Sequence, residues 1–409
     1  MQTETGSGRA TESYPARHAL RSTTATAISL AAVVLALSLL CISLSHAATL
    51  RVGPGEQITR IADAARLARD GDTVEILPGE YRGDVAVWHQ KTLAIRGVGQ
   101  RPVLIADGKN AEGKAIWVIR NGDFLIENIE FRGVRVSDKN GAGIRFERGK
   151  LEIRRCGFFD SESGLIASNF ADSELTILDS EFGRNGAGDG QSHNLYAGRI
   201  AKLTIMGSRF HAANVGHLIK SRARRNDIRY NLIYDGPGGK ASYEVDLPNG
   251  GIATLVGNIV GQSATTENPV VVSFGEEGDT WPENELTLVH NTLISDRLKG
   301  TWFLRVPQDK FRTPPSVRAW NNLTAGLGVF TLGASGHFRG NVPGLPFMLN
   351  DTETLDFGLP ANSPLRLFAV DSRELSPEII PKAEFSLPIG TRPLTPPEHW
   401  IPGALQRSP

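Results

Sequence analysis

The chain has 409 residues, with 44 Lys+Arg against 44 Asp+Glu, 44 Gly, 23 Pro and only 2 Cys. Two cysteines exclude a disulfide scaffold, and a hydrophobic content of 40% excludes a disordered chain. A formal net charge of zero argues against a surface coated in cations for nucleic acid, while leaving room for local patches.

The segment Ala27 to Leu44, AISLAAVVLALSLLCISL, carries no charge, follows Arg17 and Arg21, and runs into Ser45-His46-Ala47-Ala48. Basic region, apolar core and small residues in that order are the pattern of a secretory signal over residues 1–47, cleaved after Ala47. The protein is therefore expected to be exported, periplasmic or secreted. The alternative is an uncleaved membrane anchor through residues 27–44, since about 18 to 20 apolar residues span a bilayer. Cys156 alone cannot form an internal disulfide, so stability has to come from a large core.

Residues 50–83 read as strand, amphipathic helix and strand. LRVGPGEQ is followed by ITRIADAARLARDG, with Ile58, Ile61, Ala64, Ala65 and Ala68 at helical spacing and Gly71 closing the helix, and then by DTVEILPGEYRG. This stretch, including GDTVEILPGEY, resembles the N-terminal cap of right-handed parallel β-helix proteins. A cap implies a solenoid behind it.

Behind it, LAIRGV (93–98), FLIENIEF (124–131), LEIRRCGFF (151–159), LTILDSEF (175–182), LTIMGSRF (203–210), DIRYNLIY (227–234), ATLVGNIV (253–260), LTLVHNTLI (286–294) and VRAWNNLT (317–324) align with one another. Their shared column is Gly97, Asn128, Cys156, Ser180, Ser208, Asn231, Asn258, Asn291 and Asn322. At a bend between strands, stacked Asn side chains can bond the coils above and below, satisfying buried polar groups of the turn. Apolar runs on either side fill the interior as parallel strands. A sandwich of antiparallel strands would need tight hairpins every 8 to 12 residues or so, and few are present. The expected fold is all-β, a single-stranded right-handed parallel β-helix over 48–345 with an N-terminal helical cap.

Near the end, DFGLPANSPLRLFAVDS (356–372) resembles the closing segment of secreted β-helix proteins. Residues 346–409, rich in proline from Pro377 to Pro397, are expected to wrap the solenoid or cap its end.

Chemistry is sought where the repeat pattern breaks. Ser192-His193-Asn194-Leu195-Tyr196, Gly216-His217-Leu218-Ile219-Lys220-Ser221-Arg222 and Ser242-Tyr243-Glu244-Val245-Asp246 occupy equivalent places in consecutive coils. With Leu195, Ile219 and Val245 inward, Tyr196, Lys220 and Asp246 form one outward column and Asn194, Leu218 and Glu244 the next. Strict alternation turns the His193, His217 and Tyr243 column inward unless a bend intervenes. Residues 199–229 add Arg199, Lys202, Arg209, Arg224, Arg225 and Arg229 against the single acid Asp227, which reads as a basic patch for a polyanion. The stretch lacks interleaved aromatics, so no nucleic-acid partner is expected.

An exported β-helix with a basic flank suits β-elimination in an acidic, uronate-containing polysaccharide. That reaction needs a cation on the carboxylate, a base for the C5 proton and an acid for the leaving oxygen. Lys220 is the candidate base if Arg222 and Arg224 depress its pKa. Arg222 is the candidate neutraliser, and Tyr196, His217 and His193 are candidate acids or alternate bases. Arg199, Arg224, Asn194, Asn249 and Glu276 are assigned to substrate binding. HLIKSRARRNDIRYNLI (217–233) resembles the Lys-Ser coil of the chondroitinase B and alginate lyase group, which implies a lysine base at Lys220. Where that group places an arginine on the next coil, this chain has Tyr243, Glu244 and Asp246. The group's calcium-binding carboxylates precede the lysine, whereas Glu244 and Asp246 follow it.

Three other readings stand beside the lyase, the first a uronate epimerase, which would share the base and the neutraliser and differ only in reprotonating C5. Glu244 and Asp246, helped by Glu276 and Glu277, form a carboxylate pair for glycoside hydrolysis or, with Asn249, a Ca²⁺ site. The third is a non-catalytic polysaccharide-binding surface protein. No cofactor other than that Ca²⁺ is expected, and the chain is expected to be a monomer.

Overall fold

The computed structural model describes residues 47–266 and 268–406, so the signal or anchor reading of residues 1–47 lies, but for Ala47, outside the described residues. Among those described, no helix is long and apolar enough to cross a membrane.

Short strands of period two build the molecule. In Glu174–Leu178, Leu175 and Ile177 are buried while Thr176 faces out, the alternation of a strand with one covered face. Each strand pairs in parallel with its counterpart one coil on, so Leu175 and Ile177 lie beside Leu203 and Ile205. The result is three parallel sheets of twelve, ten and eleven strands. The remaining pair, Ala383–Phe385 with Thr391–Pro393, is antiparallel and belongs to the C-terminal segment. Inside, Phe131, Phe158, Phe182 and Phe210 stack with centroids 5.1, 4.5 and 4.8 Å apart. Trp88 and Trp117 extend the column edge-on.

The expected ladder exists. The backbone N–H of Cys156 donates to Ser180 Oγ, that of Ser180 to Ser208 Oγ, and that of Ser208 to Asn231 Oδ1. It continues through Asn258, Asn291 and Asn322 to Asn341, one rung beyond the sequence reading. Two assigned members do not belong. Register places Gly97 and Asn128 one residue earlier, in line with Arg155, and Ile129 fills the ladder slot as a core residue. Asn128 instead shares the left-handed φ of Arg155, Asp179 and Tyr230, which bends each coil just before the ladder.

Asn258 shows what a rung contributes. Its Nδ2 donates to Ile228 O at 2.8 Å and Asn291 Oδ1 at 3.0 Å, while its Oδ1 accepts from Asn231 N and Nδ2. Asn258→Ala leaves several buried groups unpaired and is expected to cost about 3 kcal/mol or more. Scanning calorimetry checks this, and an unchanged melting temperature would mean the ladder is not a stabilising element.

The cap helix, Ile61–Leu67, is shorter than the expected one and ends before Gly71. Seven residues cannot hold a helix by themselves. Side chains from later coils close both ends: Asp84 accepts from the Ile61 and Ala62 amides, and Gln90 Nε2 donates to the Ala65 and Ala68 carbonyls.

The C-terminal segment runs back along the outside. Leu375, Ile379 and Ala383 pack on Tyr230, Val256 and Val289, and Phe357, Phe385 and Leu405 cover Leu232, Ile259 and Ile294. Buried His290 pins it, with Nε2 2.6 Å from Ser372 Oγ and Nδ1 3.2 Å from Gln406 Nε2.

Candidate active site

The ten-stranded sheet carries the three unusual coils. Leu195, Ile219 and Val245 are paired in register and buried, which places Tyr196, Lys220 and Asp246 side by side on the outer face. Ser273 and Arg305 continue the row in one direction, and Ile166 and Arg145 in the other. The chain bends at Asn194, Leu218 and Glu244, where the regular strand begins. The bend breaks strict alternation and brings His193, His217 and Tyr243 beside the outward row. Gly216 permits the close stacking this needs, because a Cβ there would overlap the Ser192 carbonyl oxygen. The His193 and His217 rings stack at 4.6 Å, and Tyr243 meets His217 edge-on at 5.0 Å.

Backbone amides fix both imidazoles. His217 N donates to His193 Nδ1 at 3.0 Å, and Tyr243 N donates to His217 Nδ1 at 3.3 Å. A nitrogen that accepts carries no proton, so each ring holds its proton on Nε2. Burial, reinforced by the Lys220 and Arg222 cations, pushes His193 down to about 3. His217 is held well below the usual histidine value, chiefly by burial. Both are neutral at physiological pH. His217 Nε2 lies 3.6 Å from Asp246 Oδ2.

Around them is a bridged charge cluster. Lys220 Nζ lies 3.3 Å from Asp246 Oδ2 and 3.7 Å from Glu277 Oε1. Arg222 donates from Nε to Tyr196 Oη at 3.1 Å, from Nη1 to Asn249 Oδ1 at 2.8 Å, and from both terminal nitrogens to Glu277. Burial raises the Asp246 carboxyl above the ordinary range, although Lys220 opposes the shift. Arg222 holds Glu277 below it. Trp281 Nε1 donates to the Arg222 carbonyl and supports the segment from behind.

Tyr196, His193, His217, Lys220, Arg222 and Asn249 thus lie together, and other residues assigned to the site lie elsewhere. The same bend turns Asn194 and Glu244 into the interior beside core Leu218. Asn194 bonds Asn185 and the His211 carbonyl, so it is a structural residue and not a substrate ligand. Glu244 has no exposed surface, neither of its oxygens has a hydrogen-bond partner among the described residues, and burial drives its pKa well up. It cannot pair with outward-facing Asp246 for hydrolysis or share a calcium ion with it. Asp246 is itself committed to Lys220, so the donor set does not fit Ca²⁺, and no cluster of three or more His, Cys, Asp or Glu suited to a metal occurs among the described residues.

Glu276 is occupied too, in ion pairs with Arg305 and Lys310, and its neighbour Glu277 takes the place in the site. Arg224 pairs with Glu283, and exposed Arg199 lies in the turn after the strand Leu195–Ala197. The basic patch itself dissolves. Each coil visits all three sheets, so Lys202, Arg225 and Arg229 lie on the twelve-stranded sheet and Arg209 on the eleven-stranded one, leaving Lys220 and Arg222 at the site. Arg229 and Arg209 are paired there with Asp227 and Glu181.

No protein-family model matches the chain, and no curated protein sequence does. Among solved structures, pectate lyase Pel9A is similar over 90% of this chain and 98% of its own, with a TM-score of 0.56 and 12% identity. A protein of Geobacillus virus E2, ORF18, aligns over 66% of this chain and 52% of its own, with a TM-score of 0.36 and 11% identity. The parallel coils, the side-chain ladder and the likeness to Pel9A together give this chain the fold of a right-handed parallel β-helix.

Proposed function

We propose that this chain is a polysaccharide lyase that cleaves a uronate-containing polymer by β-elimination. One observation carries the reading: Tyr196 and Lys220 are paired on the outer row, and Arg222, just past Lys220, donates to the Tyr196 hydroxyl. Arg222 neutralises the uronate carboxylate and so acidifies C5–H. Lys220 takes that proton, the electron pair forms the C4–C5 double bond, and the C4–O bond breaks. Tyr196 Oη accepts from Arg222, which leaves its own O–H free to protonate the departing oxygen. Asp246 positions Lys220, and the neutral His217 lies against Asp246. The fold of Pel9A, a pectate lyase, accords with a polyuronate substrate.

A second reading rests on a separate observation. Asp246 is raised by burial and Glu277 lowered by Arg222, and two carboxylates driven apart in this way suit glycoside hydrolysis. The test is a panel of alginate, polygalacturonate, glucuronan and glycosaminoglycans, followed by ultraviolet absorbance and by release of reducing ends. Elimination creates a conjugated double bond that absorbs in the ultraviolet. Reducing ends without that absorbance would overturn the lyase reading.

A further inference from the structure

The outward row continues from Tyr196 through Ile166 to Arg145, each paired in register with the next. Over this stretch lies a groove of about 290 Å³, floored by Arg145, Ile166 and Tyr196 and edged by Asn140, Asn169 and Gln191. Among the described residues no carboxylate lines it, and Arg145 is the only charged one that does, since His193 is neutral.

Arg145 differs from the cations around it. Lys114 and Arg120 share Glu147, and Arg148 pairs with Asp172. Arg145 makes no ion pair among the described residues, and its Nε is buried with no hydrogen-bond partner. A guanidinium left unpaired in a groove without acids is a seat for an anion, and its planar fork matches a carboxylate.

We propose that this groove is a substrate subsite in which Arg145 binds the carboxylate of a uronate residue remote from the bond that breaks. Three strand spacings separate Arg145 from Lys220, roughly 14 Å, a span of a few sugar residues. The polymer then lies along the solenoid axis, its ring over Ile166 and its hydroxyls facing Asn140, Asn169 and Gln191. The inference rests on the polyuronate reading above and adds where the chain lies and which residue reads its charge.

The test uses the full chain carrying Lys220→Ala, so that ligand survives. Calorimetric affinities are measured for hexagalacturonate and hexamannuronate and for their carboxyl-reduced counterparts. Adding Arg145→Gln is expected to weaken the acidic hexamer about tenfold and the reduced one less than about twofold. Arg145→Lys, which keeps the charge without the fork, is expected to fall between. Equal losses for acidic and reduced hexamers, or no loss, would overturn the subsite while leaving the polyuronate reading in place. Failure of the parent to bind these two acidic hexamers and the corresponding glucuronan and glycosaminoglycan oligomers would overturn that reading and the subsite with it.

Discussion

Lys220→Ala is expected to lower kcat on the cleaved polyuronate by about 10² to 10⁴-fold, the range associated with loss of a general base. The fold should survive, because Lys220 projects from the outer face while its neighbours Ile219 and Ser221 carry the buried side of the strand. The substitution leaves Asp246 without its cation; burial already raises its pKa, and losing Lys220 raises it further toward the protonated form. Lys220→Arg separates two roles. Arginine keeps the positive charge beside Asp246 and Glu277 but does not deprotonate. If Lys220 is the base, both variants are equally inactive in the ultraviolet assay while far-UV circular dichroism is unchanged. Activity of Lys220→Arg within tenfold of the wild type would make Lys220 an electrostatic residue and move the base to another group.

The fold was legible because its determinants repeat. A ladder rung is the same residue type at the same place in each coil, so Asn231, Asn258, Asn291 and Asn322 stand out without a structure. The alignment slipped at Asn128, where a left-handed turn position one residue earlier also accepts asparagine. The site row of Tyr196, Lys220 and Asp246 was readable for the same reason, as strand pairing converts equal offsets into neighbours. What escaped depends on single bends and loops. One bend at the strand entrance sends Asn194 and Glu244 inward and the histidines outward, against the period-two rule. In Ser273-Phe274-Gly275-Glu276-Glu277 nothing local says which glutamate turns to Arg222. Arg145 gives no signal at all, because an unpaired arginine is defined by the carboxylates that are missing around it. The basic run of residues 199–229 misled for the opposite reason. Proximity along the chain is not proximity in space when each coil distributes its residues over three faces.

Glu277→Gln is the substitution on which the two enzymatic readings part. In this structure Glu277 occupies the anion seat of Arg222 and is half-exposed on the turn after the strand Val270–Phe274. For a lyase it is a placeholder: an incoming uronate carboxylate is the same chemical group and takes the same guanidinium. An ion pair that is this accessible to water is worth only about 0.2 to 1 kcal/mol, so substrate displaces it at small cost. Removing the charge should then lower KM by about two- to fivefold and leave kcat within a factor of about two. For a hydrolase Glu277 is the ionised partner of Asp246, kept charged by Arg222, and its loss should cut kcat by about 10² to 10⁴-fold. The same measurement probes pH. Because Arg222 holds the Glu277 carboxyl below its ordinary value, the competing charge is present through the neutral and mildly acidic range and is lost only as the pH falls through that depressed value. The KM advantage of Glu277→Gln should therefore persist down to mildly acid pH and vanish below it. Steady-state kinetics on both proteins across that range decide the matter, and a collapse of kcat with KM unchanged would transfer the site from elimination to hydrolysis.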